Sequence, residues 1–244
     1  MFQAHNSLGE VYHLQALQAE ARGESPDAFF AQARAAYASA LAQAPTHPTA
    51  LTTLAWTDYF EGKFRVRAGQ DPGDFLARAR EGSRTAFETS GRSRALLCVA
   101  STHRLEAEWR LAQGDDAGAR RAIAAARTHF EQLLARNPAH AEGHRSMGRL
   151  MTLEARRLRA RGADPESALA EARRWLDAAL EHVPDGGNYW LALARLELAV
   201  GDASARARGR DAVDRALALR PGWASAERVR TRFISHAPSS SIGA

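Results

Sequence analysis

The chain has 244 residues, 45% hydrophobic and 25% charged, enough apolar material for the core of one large domain or two small ones. Abundant alanine with only 7% aromatics favours closely packed helices over a sheet of β-branched residues, so almost no strand is expected. The formal charge of +5 is nearly all arginine, Lys63 being the sole lysine, and acidic residues are interspersed throughout; this reads as a GC-rich genome and argues against a nucleic-acid-binding surface.

Apolar residues recur at spacings of three and four, as in Ala168, Ala172, Leu176, Ala179 and Leu180, the mark of one buried helical stripe. In chain order the pattern predicts helices at 2–22, 26–43, 48–68, 72–90, 93–113, 117–136, 140–161, 165–182, 187–200, 203–219 and 223–234, five pairs and a lone last helix. Two sets of breaks hold this register. Gly23, Gly69, Gly114, Gly162 and Gly201 open the turns GESP, GQDP, GDDA, GADP and GDAS at intervals of 46, 45, 48 and 39. Pro45, Gly91, Pro138, Pro184 and Pro221 close the second helices at intervals of 46, 47, 46 and 37. Glycine ends a helix in the left-handed conformation, an Asp or Ser two residues on accepts from free N–H groups, and proline suits a first turn. Gly69, Asp71 and Pro72 therefore read as stop, cap and start, as do Gly162, Asp164 and Pro165.

The helices themselves carry a resemblance. The first has Leu8-Gly9 and then Tyr12; Leu54-Ala55, Met147-Gly148 and Trp190 with Leu193-Ala194 hold the matching places later. The second helices offer Ala33, Tyr37, Ala40 and Pro45, then Ala126, Phe130, Leu133 and Pro138, then Ala172, Leu176, Ala179 and Pro184, and finally Val213, Ala216 and Pro221. In these residues the chain resembles the tetratricopeptide (TPR) repeat family over nearly all of 2–234. The third unit matches least, with Val99-Ala100 for Leu-Gly and Gly91 for proline. The family repeats at about 34 residues, whereas four units here run at about 46, which makes each hairpin taller by ~9 Å.

The resemblance implies an all-α fold, a right-handed α-solenoid of five TPR-like helix pairs with units at about 2–45, 48–91, 93–138, 140–184 and 187–221. A capping helix at 223–234, with Trp223 and Ala226 inward, and a disordered tail at 235–244 complete it. Tall units with the G-x-D-P turn are also similar to the arrays that follow the kinase domain in some bacterial serine/threonine kinases. Together with a start one residue before a full repeat helix, this suggests a fragment or downstream piece of a longer protein, with a regulatory or substrate-recruiting arm as the alternative function. The sequence shows no glycine-rich phosphate loop, H-R-D or D-F-G.

Candidate chemistry is sparse. His140 and His144 lie four apart on one helical face, but HAEGH misplaces the glutamate of the zincin motif and offers no third ligand, so no metal site is expected. Cys98, alone in ALLCVA, reads as a small buried hydrophobe, and His103 five residues on turns away from it. No catalytic residue or cofactor is assigned. With no basic-then-apolar start and no apolar run of about 20 residues, a cytoplasmic protein without membrane contact is expected.

In TPR proteins the concave surface lined by first helices usually holds an extended peptide or partner helix, and the resemblance extends that expectation here. Helical register turns Asn6, Glu10, His13, Thr52, Trp56, Tyr59, Ser101, Arg104, Arg145, Arg149 and Arg195 toward that groove. Neutral and aromatic side chains lead at the amino end and arginines at the carboxyl end. Arginine forks pair bidentately with carboxylates and phosphates, so the expected partner is a protein or peptide with an acidic or phosphorylated segment. Self-association is a further option, and no nucleic acid is expected; a nucleic-acid grip would show itself by steep loss of affinity with salt.

Overall fold

The structure, a computed structural model, describes residues 1–235. The disordered-tail expectation therefore falls, from residue 236 on, outside the described residues, and Ser235 ends the last helix. The helices are α1 (Phe2–Arg22), α2 (Asp27–Gln43), α3 (Pro48–Arg67), α4 (Gly73–Ser90), α5 (Ser93–Ala112), α6 (Asp116–Arg136), α7 (Ala141–Ala160), α8 (Glu166–His182), α9 (Gly187–Val200), α10 (Ala203–Leu219) and α11 (Ala224–Ser235). Each boundary lies within one residue of the sequence expectation, and the described residues contain no strand.

The breaks work largely as their residues dictate. Gly23, Gly69, Gly114, Gly162 and Gly201 all take positive φ, between 69° and 86°, where a side chain would be strained. Prolines act on the residue before them: Ala44, Asn137, Val183 and Arg220 leave the helical region, with φ between −147° and −140° and ψ between 73° and 86°, because a following proline ring excludes the helical conformation. Gly91 reaches the same end with φ 64°, so the third unit keeps its register without proline.

The cap chemistry divides by the presence of proline. In the G-x-D-P turns the proline stands just before the helix, and the residue preceding it caps: Asp71 Oδ1 accepts from Gly73 N–H and Asp164 Oδ1 from Glu166 N–H, both at 2.9 Å. In GDDA and GDAS, which lack proline, the Asp directly after glycine is the cap. Asp115 accepts from Gly118 N–H at 2.8 Å and Asp202 from Ala205 N–H at 2.7 Å. The rule of an acceptor two residues after glycine thus holds only where proline fills the intervening cap position.

The chain divides into two compact units, Met1–Asn137 and Pro138 onward. In the first, α1 packs on α2, α3 on α4 and α5 on α6, and the first helices α1, α3 and α5 touch in sequence; in the second, α7 with α8 and α9 with α10 form hairpins and α11 lies on α9 and α10. Small residues set the helix approach. A Cβ built on Gly9 would lie 2.6 Å from the Tyr37 ring, and one on Gly148 would lie 2.6 Å from Leu176 Cγ, the equivalent contact in another pair. Gly9→Leu is therefore expected to cost about 1 to 3 kcal/mol by overpacking, read as a lower melting temperature with unchanged helix content at low temperature.

The end of the second unit differs from expectation in one residue. Ala226 is fully buried as expected, but Trp223 is only half-buried, with the Arg220 guanidinium 5.2 Å from its ring. Phe233, 2% exposed, is the side chain that plugs the core, its ring against Gly209.

Ion pairs tie one hairpin to the next inside each unit. Arg34 on α2 pairs with Glu61 on α3, Arg80 on α4 with Glu106 on α5 at 2.8 Å, and Arg173 on α8 with Glu197 on α9. Glu197 is fully buried and also receives Arg208 at 3.1 Å, while the Glu61 side chain, 3% exposed, also receives Arg65 at 3.2 Å.

Candidate functional site

In the first unit, the hollow between neighbouring hairpins gathers four of the groove candidates. Glu10 and His13 of α1 and Thr52 and Trp56 of α3 line one cavity of about 470 Å³, a size typical of ligand sites. Leu14, Tyr37, Arg92 and Arg94 complete its chemistry. The close approach of Tyr37 to Gly9 shapes one wall, and Thr57 Oγ1 meets His13 Nδ1 at 3.0 Å, tying α1 to α3. Behind Trp56 stand Tyr59, with ring centroids 5.2 Å apart in an edge-on contact, and Phe60, 5.9 Å from Trp56 and 5.4 Å from His13. Lys63 reaches over the same Phe60 ring from the next turn, 5.4 Å from its centroid.

The electrostatics of the hollow are uneven. Burial, helped by the positive charge of Arg94, holds the His13 imidazole down at about 4 from 6.5, so it is neutral at pH 7. Burial likewise pushes the Tyr37 hydroxyl up to about 12. Glu10, on the rim, accepts from Asn6 Nδ2 at 3.1 Å. Arg92 and Arg94 are exposed at the start of α5; Arg92 gives one N–H to Thr49 Oγ1 at 2.9 Å, and Arg94 has no ion pair among the described residues.

The depressed His13 value has a sign in stability. Between pH 6.5 and about 4 the unfolded chain holds a proton at this residue and the folded chain does not, so its contribution is complete above pH 6.5 and is lost as pH falls toward 4. Urea unfolding at pH 7 and pH 5 should differ by up to about 2 kcal/mol on this account, and His13→Gln should remove that part of the difference.

The remaining first-unit candidates lie inside the wall. Tyr59, Ser101 and Arg104 are 5%, 5% and 2% exposed, and Arg104 donates to the Tyr59 hydroxyl at 3.0 Å and pairs with Glu108. In the second unit Arg145 is held by Glu142 and lies 5.9 Å from the Tyr189 ring, Arg149 is half-buried and Arg195 is exposed. Sequence reasoning did not select Arg92 and Arg94, which precede the central turns from which groove residues were drawn. Their signal was position alone, two arginines directly after the helix stop at Gly91.

The other chemical candidates are engaged locally. His140 Nδ1 accepts from Gly143 N–H at 3.0 Å as the cap of α7, and His144 Nε2 bonds the Pro138 carbonyl at 2.6 Å beside Trp175 and His182. Cys98 is fully buried, and burial pushes its thiol up to about 12. His103 instead stacks on His129, with ring centroids 5.6 Å apart and planes 10° from parallel.

Helix hairpins repeated at a fixed register, with small residues at their contacts, define an all-α helical-repeat protein of the tetratricopeptide fold. The solved structures agree. A thermophilic TPR protein of Thermus thermophilus, TTC0263, superposes with a TM-score of 0.68 at 19% identity over 96% of this chain and 98% of its own. Human IFIT1, solved as a dimer with m7Gppp-AAAA, superposes with a TM-score of 0.56 at 14% identity over 85% of this chain and 42% of its own. No protein-family model and no curated protein matches the sequence. No helix of the described residues is long and apolar enough to cross a membrane.

Proposed function

We propose that this chain is a non-catalytic scaffold that binds a protein or peptide partner, with the hollow of the first unit as a principal contact point. The observation that carries the reading is the cavity itself. Residues chosen from helical register alone as groove-facing, Glu10, His13, Thr52 and Trp56, converge on one open space of about 470 Å³. Its lining sets the apolar surfaces of Leu14, Trp56 and the Tyr37 ring among hydroxyl and charged groups, a mixture suited to a peptide segment.

Leu14 supplies the test, because it lines the cavity yet is 57% exposed, so a polar replacement leaves the interior intact. Random dodecapeptides displayed through their carboxyl ends should yield related sequences that bind the full chain and are lost on Leu14→Asp, with the circular dichroism spectrum unchanged. Enriched peptides that bind both forms equally would remove the cavity from the proposal.

A further inference from the structure

The charge on the cavity wall selects a ligand. At neutral pH two guanidinium groups, Arg92 and Arg94, face one carboxylate, Glu10, while His13 is uncharged. The lining therefore carries a net single positive charge. Arg94 is without a carboxylate among the described residues, and Arg92 has spent one N–H on the Thr49 hydroxyl, so N–H donors of both remain for an incoming anion. On the same hollow, Leu14 and the half-buried Trp56 present apolar surface that polar ligands would leave uncovered.

From this geometry, and resting on the peptide-binding reading above, we infer that the hollow takes a peptide segment in which one Asp or Glu side chain adjoins a large apolar one. The apolar side chain lies over Trp56 and Leu14, and the carboxylate meets Arg94 and Arg92. A carboxylate fits better than a phosphate ester. One negative charge balances the lining, whereas a dianion would leave an unbalanced charge beside Glu10. Carboxylate and guanidinium also match in shape through two parallel hydrogen bonds. Glu10 repels an acid placed beside it while the arginines attract one, which sharpens the choice of where the acidic side chain sits.

The test begins with the sequences enriched from the displayed library, in which no free terminal carboxylate is present. They should share an apolar residue next to Asp or Glu. Synthetic versions, acetylated and amidated to remove terminal charge, are then titrated against the full chain by fluorescence anisotropy in three forms, with Asp, Asn or phosphoserine at the acidic position. The Asp form should bind about tenfold tighter than the Asn form and tighter than the phosphoserine form. Arg94→Glu should abolish that preference, and a Lys form of the peptide should recover binding to it. The variant leaves the fold intact, because Arg94 is exposed in the first turn of α5, where an acidic side chain is favourable.

Enriched sequences without an acid, equal binding of Asp and Asn forms, tighter binding of phosphoserine, or indifference to Arg94→Glu would each overturn the inference and leave the scaffold reading standing. Failure of the library to yield any peptide sensitive to Leu14→Asp would overturn the inference and also remove the cavity from the scaffold reading.

Discussion

Replacing Arg173 and Arg208 together by methionine is expected to lower the stability of the second unit by about 3 to 5 kcal/mol. Methionine keeps most of the aliphatic stem, so the loss isolates the charge. Glu197 is fully buried, and its two oxygens are held by those arginines, Arg208 Nη2 at 3.1 Å on one and Arg208 Nε at 3.3 Å on the other, which Arg173 also binds. Without them an ionised carboxylate sits in apolar surroundings with no compensating donor, which is the costly way to break such a pair. The converse, Glu197→Ala, costs less, because the arginine side chains are 31% and 45% exposed and can turn to water. Adding Glu197→Gln to the double variant should recover much of the loss. Urea denaturation of the three proteins, followed by circular dichroism, decides the matter.

Phe233→Ala should cost a similar amount, about 3 to 5 kcal/mol. The ring is 2% exposed, and a Cβ built on Gly209 would come within 2.2 Å of Phe233 Cζ, which measures how fully the ring occupies the notch over α10. Removing it opens a cavity at the end of the core and unpins α11, which is otherwise held by Ala226 and Val229. The neighbouring Ile234, 64% exposed, supplies the control, since Ile234→Ala should change the melting temperature hardly at all. Deleting α11 outright should expose the same apolar surface and promote aggregation, measured by light scattering on warming.

The parts of the fold that could be read from the sequence are those written locally. A left-handed glycine, a proline that straightens the residue before it and an aspartate one or two positions after the glycine each act within a few residues, so Gly69, Pro138 and Asp202 declare the helix ends without help from the tertiary structure. Features built from distant residues were harder to read. Arg34 and Arg80 recur at 46, and Glu61 and Glu106 at 45, yet recurrence alone does not say that an arginine meets an acid one helix later. Burial depth was the other difficulty. Helical register turns Tyr59, Ser101 and Arg104 to the same side as Thr52 and Trp56, but how far adjoining helices cover each turn depends on their side chains. Phe233 was passed over in favour of Trp223 for the same reason: which aromatic enters the notch is decided by Gly209, on another helix.

The lone lysine has a practical side. A dye or photocrosslinker delivered as an activated ester at a pH high enough to deprotonate lysine finds a single side-chain amine in the whole sequence, Lys63, with the backbone α-amine as its one other type of target. The lysine amine lies against Phe60, whose ring also touches Trp56 and His13 on the wall of the hollow. A chromophore fixed there would stand one aromatic layer from any bound peptide, and its emission would register occupancy directly.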